Sequence, residues 1–434
     1  MQMSSSSPVL QRHLGLWGAI VLGLGSILGT GVFVSLGIAA GMAGPGLLGA
    51  VVIAALVALC NGLSAAQLAA VHPVSGGTYE YGYRYLTPQL GFTAGWLFLL
   101  AKSASAATAA LGFAGYLLTT LGYTSPVWRV AIALVTVGIM TVIVLGGVRR
   151  SNWINTAIVS LTLLGLGSLI VTGGYDLLTQ GGFDRNRLGP LVPAISNGGG
   201  LLQASAFMFV AYTGYGRIAT LGEEVTQPRR TIPLAMGITL LITLLVYLGV
   251  AIVGLGTVGS VALSQAATLQ VAPLAVVARQ LDQPGVAAIV TLAGMTAMLG
   301  VLLNLILGLS RVLMAMGRRG DMPGVMAHLN ATRVTPPIAV ITVGCVVALL
   351  VSLGDVKTTW SFSALNVLVY YALTNLATLR IADSDRLYPR WIAGFGLIAC
   401  LTLAFWIGLK IWLAGLGLIG IGLLVKGRMN RSHP

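Results

Sequence analysis

Apolar residues in this chain come in long blocks rather than in the one-sided stripes of a water-facing helix. Twelve such blocks, separated by polar or turn-rich links, lie at roughly 16–40, 46–70, 91–120, 127–147, 153–173, 200–225, 234–257, 286–316, 337–353, 360–380, 391–408 and 411–425. Most are long enough, at 1.5 Å per residue, to cross a hydrocarbon layer ~30 Å thick. Helices that are apolar all round face lipid or one another. The pattern predicts an all-α integral membrane protein with 12 transmembrane helices. The last two are expected to be short and parted by a tight turn near Lys410. The first block is too long for a signal-peptide core and is expected to stay as the first helix.

Composition sharpens this picture. The chain is 56% hydrophobic and 8% charged, whereas a soluble domain carries ~25% charged residues. A net charge of +14 would suit a nucleic-acid binder if the cations shared one soluble face. Placing both termini in the cytoplasm instead puts 16 of the 24 Lys and Arg in cytoplasmic segments and 6 in external ones. Lys102 and Arg217 are left inside spans. That asymmetry is the positive-inside rule. It accounts for the charge without nucleic acid and predicts a plasma (inner) membrane protein with cytoplasmic termini. The longest external links are 174–199 and 258–285, and Leu263 to Leu281 reads as a short amphipathic surface helix. The cytoplasmic links 71–90 and 317–336 are dense in turn residues.

Enzymatic chemistry finds no foothold. His13, His72, His328 and His433 are scattered without ligand spacing, so no metal is expected. Cys60, Cys345 and Cys400 fall in apolar blocks as small hydrophobes. Neither a Walker-type phosphate loop nor a nucleophile with its base can be assembled. The expectation is no cofactor and no catalysis.

Two blocks are interrupted. The first contains Gly23-Leu24-Gly25-Ser26-Ile27-Leu28-Gly29-Thr30-Gly31-Val32-Phe33, and the sixth contains Tyr212-Thr213-Gly214-Tyr215-Gly216. Each Gly costs a helix about 1 kcal/mol relative to Ala, so clustered glycines favour unwinding. Unwound backbone in a membrane must line a cavity or bind something polar. Gly25 and Gly29 also form a small-xxx-small pair that would serve close helix packing. The matched break five spans later favours a transporter site, because broken helices in corresponding positions of two halves mark substrate sites. A half-helix starting near Thr30 offers N–H groups and a positive dipole end to a carboxylate. The carbonyls near Ile27 suit an ammonium. A zwitterionic amino acid needs both.

The run Gly25 to Phe33 resembles the first-helix signature of the amino acid–polyamine–organocation superfamily of permeases. Pro73-Val74-Ser75-Gly76-Gly77-Thr78-Tyr79 is similar to that superfamily's second-to-third-helix loop. Further landmarks follow in the same order: Phe209 to Tyr215, Glu223-Glu224-Val225, Pro228-Arg229-Arg230, Ser310-Arg311, Gly320-Asp321-Met322-Pro323 and Thr335-Pro336-Pro337. The resemblance implies a LeuT-type fold, a 5+5 inverted repeat plus two C-terminal helices. Its parts would be a cytoplasmic N-terminus (1–15), a first repeat (16–173), a second (200–380), two additional helices (391–425) and a cytoplasmic tail (426–434). It also implies a substrate site at Ile27, Thr30 and Gly31 on the first helix and at Val210, Thr213 and Gly214 on the sixth, with Tyr212 nearby. Val210 stands where many members carry an aromatic gate, and Gly216 where many carry a carboxylate or amide.

Charges within spans are candidates for function. Lys102 lies eleven residues into its span, roughly 16 Å deep. A desolvated lysine exchanges protons more readily than a solvated one, and this one could couple transport to protons. It could equally bond helix-end carbonyls and hold the broken helices together. Some family members carry a lysine on the fifth helix in place of a sodium ion; Thr162 aligns there. Arg217 reads as a structural anchor, and Ser26 and Asn304 as supporting polar groups. Glu80, Arg84, Glu223 and Glu224 form either a cytoplasmic gate or a topogenic charge cluster. The favoured function is secondary active transport of small or neutral amino acids, proton-coupled or by exchange. An amine or polyamine transporter, a non-transporting amino acid sensor and, less well supported, a channel are the alternatives. The expected partners are an amino acid substrate and the lipid bilayer.

Overall fold

The computed structural model describes residues 14–73, 76–123, 125–147, 152–179, 198–219, 225–269, 272–329, 335–353 and 355–431. Glu223 and Glu224 lie outside them. Among the described residues there is no strand, only an isolated bridge between Leu14 and Val225. Seventeen α-helices follow in order among these residues: α1 (Leu16–Ile27), α2 (Leu36–Ala43), α3 (Leu47–Val71), α4 (Thr78–Tyr85), α5 (Pro88–Thr120), α6 (Pro126–Leu145), α7 (Asn152–Thr179), α8 (Gly198–Tyr212), α9 (Gly216–Ala219), α10 (Pro228–Thr257), α11 (Gly259–Thr268), α12 (Pro273–Gln280), α13 (Pro284–Arg319), α14 (Pro337–Ser352), α15 (Val356–Leu379), α16 (Arg390–Phe405) and α17 (Leu409–Arg431). Eight stretches among the described residues are long and apolar enough to cross a membrane; the first, Leu16–Val71, takes in α1 to α3. Helices α14 and α16 are shorter and also apolar.

The sequence dictates most helix ends. Proline occupies the first turn of α5, α6, α10, α12, α13 and α14, where its missing N–H costs nothing. Asp355 caps α15 by accepting from the N–H groups of Lys357 (3.1 Å) and Thr358 (3.0 Å), a contact typically worth ~1 kcal/mol. Gly320 ends α13 at φ 82, where a side chain would be strained.

Several links are more ordered than their turn residues suggest. The link 71–90 holds α4. The expected surface helix from Leu263 to Leu281 is two helices, α11 and α12. Their Leu263 and Leu274 are fully buried, and Gly37 of α2 packs against the Leu263 carbonyl, Ala267 and Pro273. Helix α7 runs to Thr179, past the expected end at 173, and Gly173 packs directly on Val253 of α10. The last turn falls at 406–408, before Lys410, and α17 continues through Lys426, which has a buried anchor described below.

Burial separates the centre from the periphery. Helices α5 and α15 are the most buried spans, and α6, α7 and α17 the least. The outer helices carry exposed Val135, Ile139, Leu164, Leu413 and Leu424, which is stable only against lipid. Helix α5 packs on α13 and α15, α3 on α8 and α10, and α1 on α7, α10 and the turn after α8. The two interrupted segments thus meet at the centre.

Candidate functional site: two broken helices face to face

The first helix breaks at Leu28, whose backbone is extended (φ −75, ψ 94) after it donates to the Leu24 carbonyl at 2.7 Å. The chain resumes at Thr30 and passes through a turn of π-helix, Gly31–Ser35, a form concentrated at functional sites. The N–H groups of Val32 and Phe33 both point to the Gly29 carbonyl at 3.2 Å. Those of Gly29, Thr30 and Gly31 make no hydrogen bond among the described residues. The Thr30 hydroxyl beside them is also without a partner, and the residue is 2% exposed. Unpaired N–H groups at the start of a half-helix form an anion site.

The second break faces the first. Helix α8 ends at Tyr212, a 3-10 turn covers Thr213–Tyr215, and α9 follows. The Tyr247 hydroxyl of α10 lies 3.2 Å from the Ile27 carbonyl and 3.0 Å from that of Ala211. One hydroxyl therefore serves carbonyls on both interrupted segments. Tyr371 of α15 donates to the Thr213 carbonyl at 3.3 Å, and Thr213 donates its own hydroxyl to the Val210 carbonyl at 2.8 Å. Glycine is required where the segments touch. A Cβ on Gly214 would fall on the Ser26 carbonyl and 2.6 Å from Ile27 Cγ1; one on Gly31 would lie 2.6 Å from Ala211 Cβ and 2.9 Å from the Tyr247 hydroxyl.

Of the residues named from sequence, Ile27, Thr30, Gly31, Val210, Thr213 and Gly214 come together here. Tyr212 is buried but sends its hydroxyl to the Val51 carbonyl of α3 at 3.3 Å. Lys102 is half-buried and donates from Nζ to Thr213 Oγ1 at 3.0 Å. Ser26 and Thr162 spend their hydroxyls within their own helices, on Leu22 (2.9 Å) and Ile158 (2.7 Å). Arg217 is half-buried, with Nη1 3.6 Å from the Cβ position of Gly308 on α13, and Asn304 is half-buried on the same helix. Tyr247 and Tyr371 were not singled out from sequence. The signal for Tyr247 is a phenol inside the aliphatic run Leu244 to Val253, since a buried hydroxyl seeks a partner.

Away from the breaks, Glu80 pairs with Arg319 at 2.6 Å, a partly exposed ion pair worth about 0–1 kcal/mol. Arg84 is exposed and lies over the Tyr85 ring, 5.8 Å from its centroid. A tighter cluster was not anticipated. Buried Asp321 accepts from Tyr79 (2.7 Å) and Tyr83 (2.6 Å) and lies 3.5 Å from Lys426 Nζ. Lys426 also donates to Tyr83 (2.8 Å) and to the Pro88 carbonyl (2.6 Å). Burial and the hydrogen bond to Asp321 hold both phenols well above their ordinary range, so they remain donors at physiological pH. The cluster ties α4, the end of α13 and α17 together. Among the described residues no group of three His, Cys, Asp or Glu is placed to hold a metal.

Comparisons with known proteins identify the family. The model of the amino acid permease family matches residues 18–426. The chain is 40% identical over 419 residues to an uncharacterized transporter of Mycobacterium tuberculosis (strain ATCC 25618 / H37Rv), covering 96% of this chain and 91% of that one. It is 28% identical over 455 residues to the branched-chain amino acid permease BcaP of Bacillus subtilis (strain 168), covering 99% and 95%. It is 27% identical over 378 residues to the mitochondrial cationic amino acid transporter 3 of Arabidopsis thaliana, covering 83% and 60%. With the family matched across nearly its whole length, the chain belongs to the amino acid permeases: it is a membrane transport protein and not an enzyme.

Proposed function

We propose that this permease is a secondary active transporter of small or neutral amino acids, working by alternating access across the plasma (inner) membrane. On this reading it has twelve spans, arranged as a LeuT-type five-plus-five inverted repeat with two more helices, and both termini in the cytoplasm. The observation that carries the proposal is the set of three unpaired N–H groups at Gly29, Thr30 and Gly31, beside the unpartnered Thr30 hydroxyl. They suit a carboxylate. The carbonyl end of α1, at Ser26 and Ile27, carries the negative end of its dipole and suits an ammonium. Backbone thus reads the two groups common to all amino acids. The charge balance favours a neutral side chain: none of α1, α2, α3, α5, α8, α10, α13 or α15 contains Asp or Glu, while Lys102 and Arg217 are cationic. The relative named for branched-chain amino acids fits this choice.

A ligand screen by thermal shift in detergent tests the substrate class. A ligand at 100 times its Kd stabilises by about 2.7 kcal/mol, enough to raise the melting temperature measurably. Neutral amino acids are expected to raise it. Their amides, their decarboxylated amines and simple diamines are not, because each lacks one of the two groups. A diamine that shifts the transition as far as the best amino acid would overturn the reading.

A further inference from the structure

Lys102 holds one of its three N–H donors on Thr213. The seam between α5 and α15 shows where a second would go. The two helices run antiparallel, and three contacts fix their register. The hydroxyls of Thr108 and Thr359 are 2.8 Å apart, those of Ser105 and Ser363 are 2.8 Å apart, and the rings of Phe98 and Tyr370 have centroids 5.6 Å apart. Residues 98, 102 and 105 lie on one face of α5, and 363, 366 and 370 on one face of α15, at helical spacings of three and four. In this register the residue level with Lys102 is Asn366.

Asn366 is 1% exposed. Its Nδ2 donates to the Phe362 carbonyl at 2.7 Å. A carbonyl can only accept, so the amide is oriented with its oxygen on the other side. That oxygen, Oδ1, is buried without a hydrogen bond. A buried acceptor left unpaired costs about 1–3 kcal/mol, and an ammonium with donors to spare stands at the same level.

We propose that Asn366 is the positioning residue for Lys102: its Oδ1 takes a second N–H of the ammonium, so that the lysine ties α15 to the break after α8. Thr213 and Asn366 sit on separate elements, one on an interrupted segment and one on a continuous span. Any motion of the break relative to α15 must then shift the ammonium between these two acceptors. Leucine, close in size to asparagine, removes the acceptor and leaves the packing.

The test is a double-mutant cycle on the melting temperature of the purified full chain in detergent. Asn366→Leu and Asn366→Asp are each made with Lys102 present and with Lys102→Met. With Lys102 present, Asn366→Asp should melt near wild type, since a carboxylate is a stronger acceptor for the same ammonium. In the Lys102→Met protein the same change should lower the transition by at least about 3 °C, because the buried carboxylate has lost its partner. Asn366→Leu should show the opposite dependence, destabilising only when Lys102 is there. Should the leucine variant fail to fold, the aspartate pair alone decides. Equal shifts in both backgrounds would overturn the contact. The cycle reads the contact itself, so its failure is distinct from failure of the transport reading, which rests on the ligand screen above.

Discussion

Gly214→Ala is expected to lower substrate uptake by at least about tenfold while leaving the protein in the membrane at wild-type levels. The added Cβ would fall on the carbonyl of Ser26, and a backbone carbonyl cannot swing aside as a side chain can. The two interrupted segments would have to separate at their point of contact. Overpacking of this kind costs typically 1–3 kcal/mol, and 1.36 kcal/mol at the step that matters is already tenfold in rate. The damage is confined to the breaks, because the surrounding helices α3, α5 and α15 keep their own packing. The control is Gly167→Ala on α7, where a Cβ meets nothing within 4 Å and uptake should be unchanged. Uptake of labelled amino acid into proteoliposomes, normalised to protein, checks both. Wild-type uptake by Gly214→Ala would mean that the breaks do not form the working site.

Lys102→Ala should abolish accumulation driven by an inward proton gradient and preserve one-for-one exchange. Lys102 is the lysine placed near the middle of an interior span, and none of α1, α2, α3, α5, α8, α10, α13 or α15 contains a carboxylate to share its task. It hydrogen-bonds the turn after α8 itself, so its protonation state bears directly on the break. A charged ammonium donates to Thr213 Oγ1 and holds that turn toward α5; a neutral amine holds it less strongly. Protonation then biases one facing state over the other, as differential binding requires. Lys102→Arg keeps the charge permanently and should also lose gradient-driven accumulation. The comparison is uptake with and without the gradient in the three proteins. If Lys102→Ala concentrates substrate in response to the gradient as wild type does, the lysine only holds the breaks together.

Much of this site was legible because membranes restrict what a sequence can mean. Clustered glycines at Gly25, Gly29 and Gly31, and at Gly214 and Gly216, have few uses in hydrocarbon, and the structure puts Gly214 against Ser26 and Gly31 against Ala211. Helical class followed from the apolar blocks for the same reason. The partners across the bundle were not legible. Tyr247 and Tyr371 serve carbonyls more than thirty residues away in sequence, and no local period points to them. The link 71–90 reads as turns from Pro73, Gly76 and Gly77, yet Thr78–Tyr85 is a helix whose Tyr79 and Tyr83 are held by Asp321. That helix is short and amphipathic, and tertiary contacts decide it more than propensity does. The extent of α17 was missed for a related reason. A lysine near a terminus reads as a topogenic charge, and only the fold brings Lys426 to Asp321 and Tyr83.

Counterflow tests the central claim, transport of a zwitterionic amino acid by alternating access, most directly. Proteoliposomes containing the full chain are loaded with unlabelled neutral amino acid and diluted into a trace of the same compound in labelled form. A carrier returns to the outward-facing state faster when loaded, so label should rise transiently above its equilibrium level and then fall. Loading with the corresponding amine, which lacks the carboxylate that we propose the N–H groups of Gly29, Thr30 and Gly31 bind, should give no such rise. Label that enters only to equilibrium, at the same rate whatever is inside, would contradict alternating access at this site.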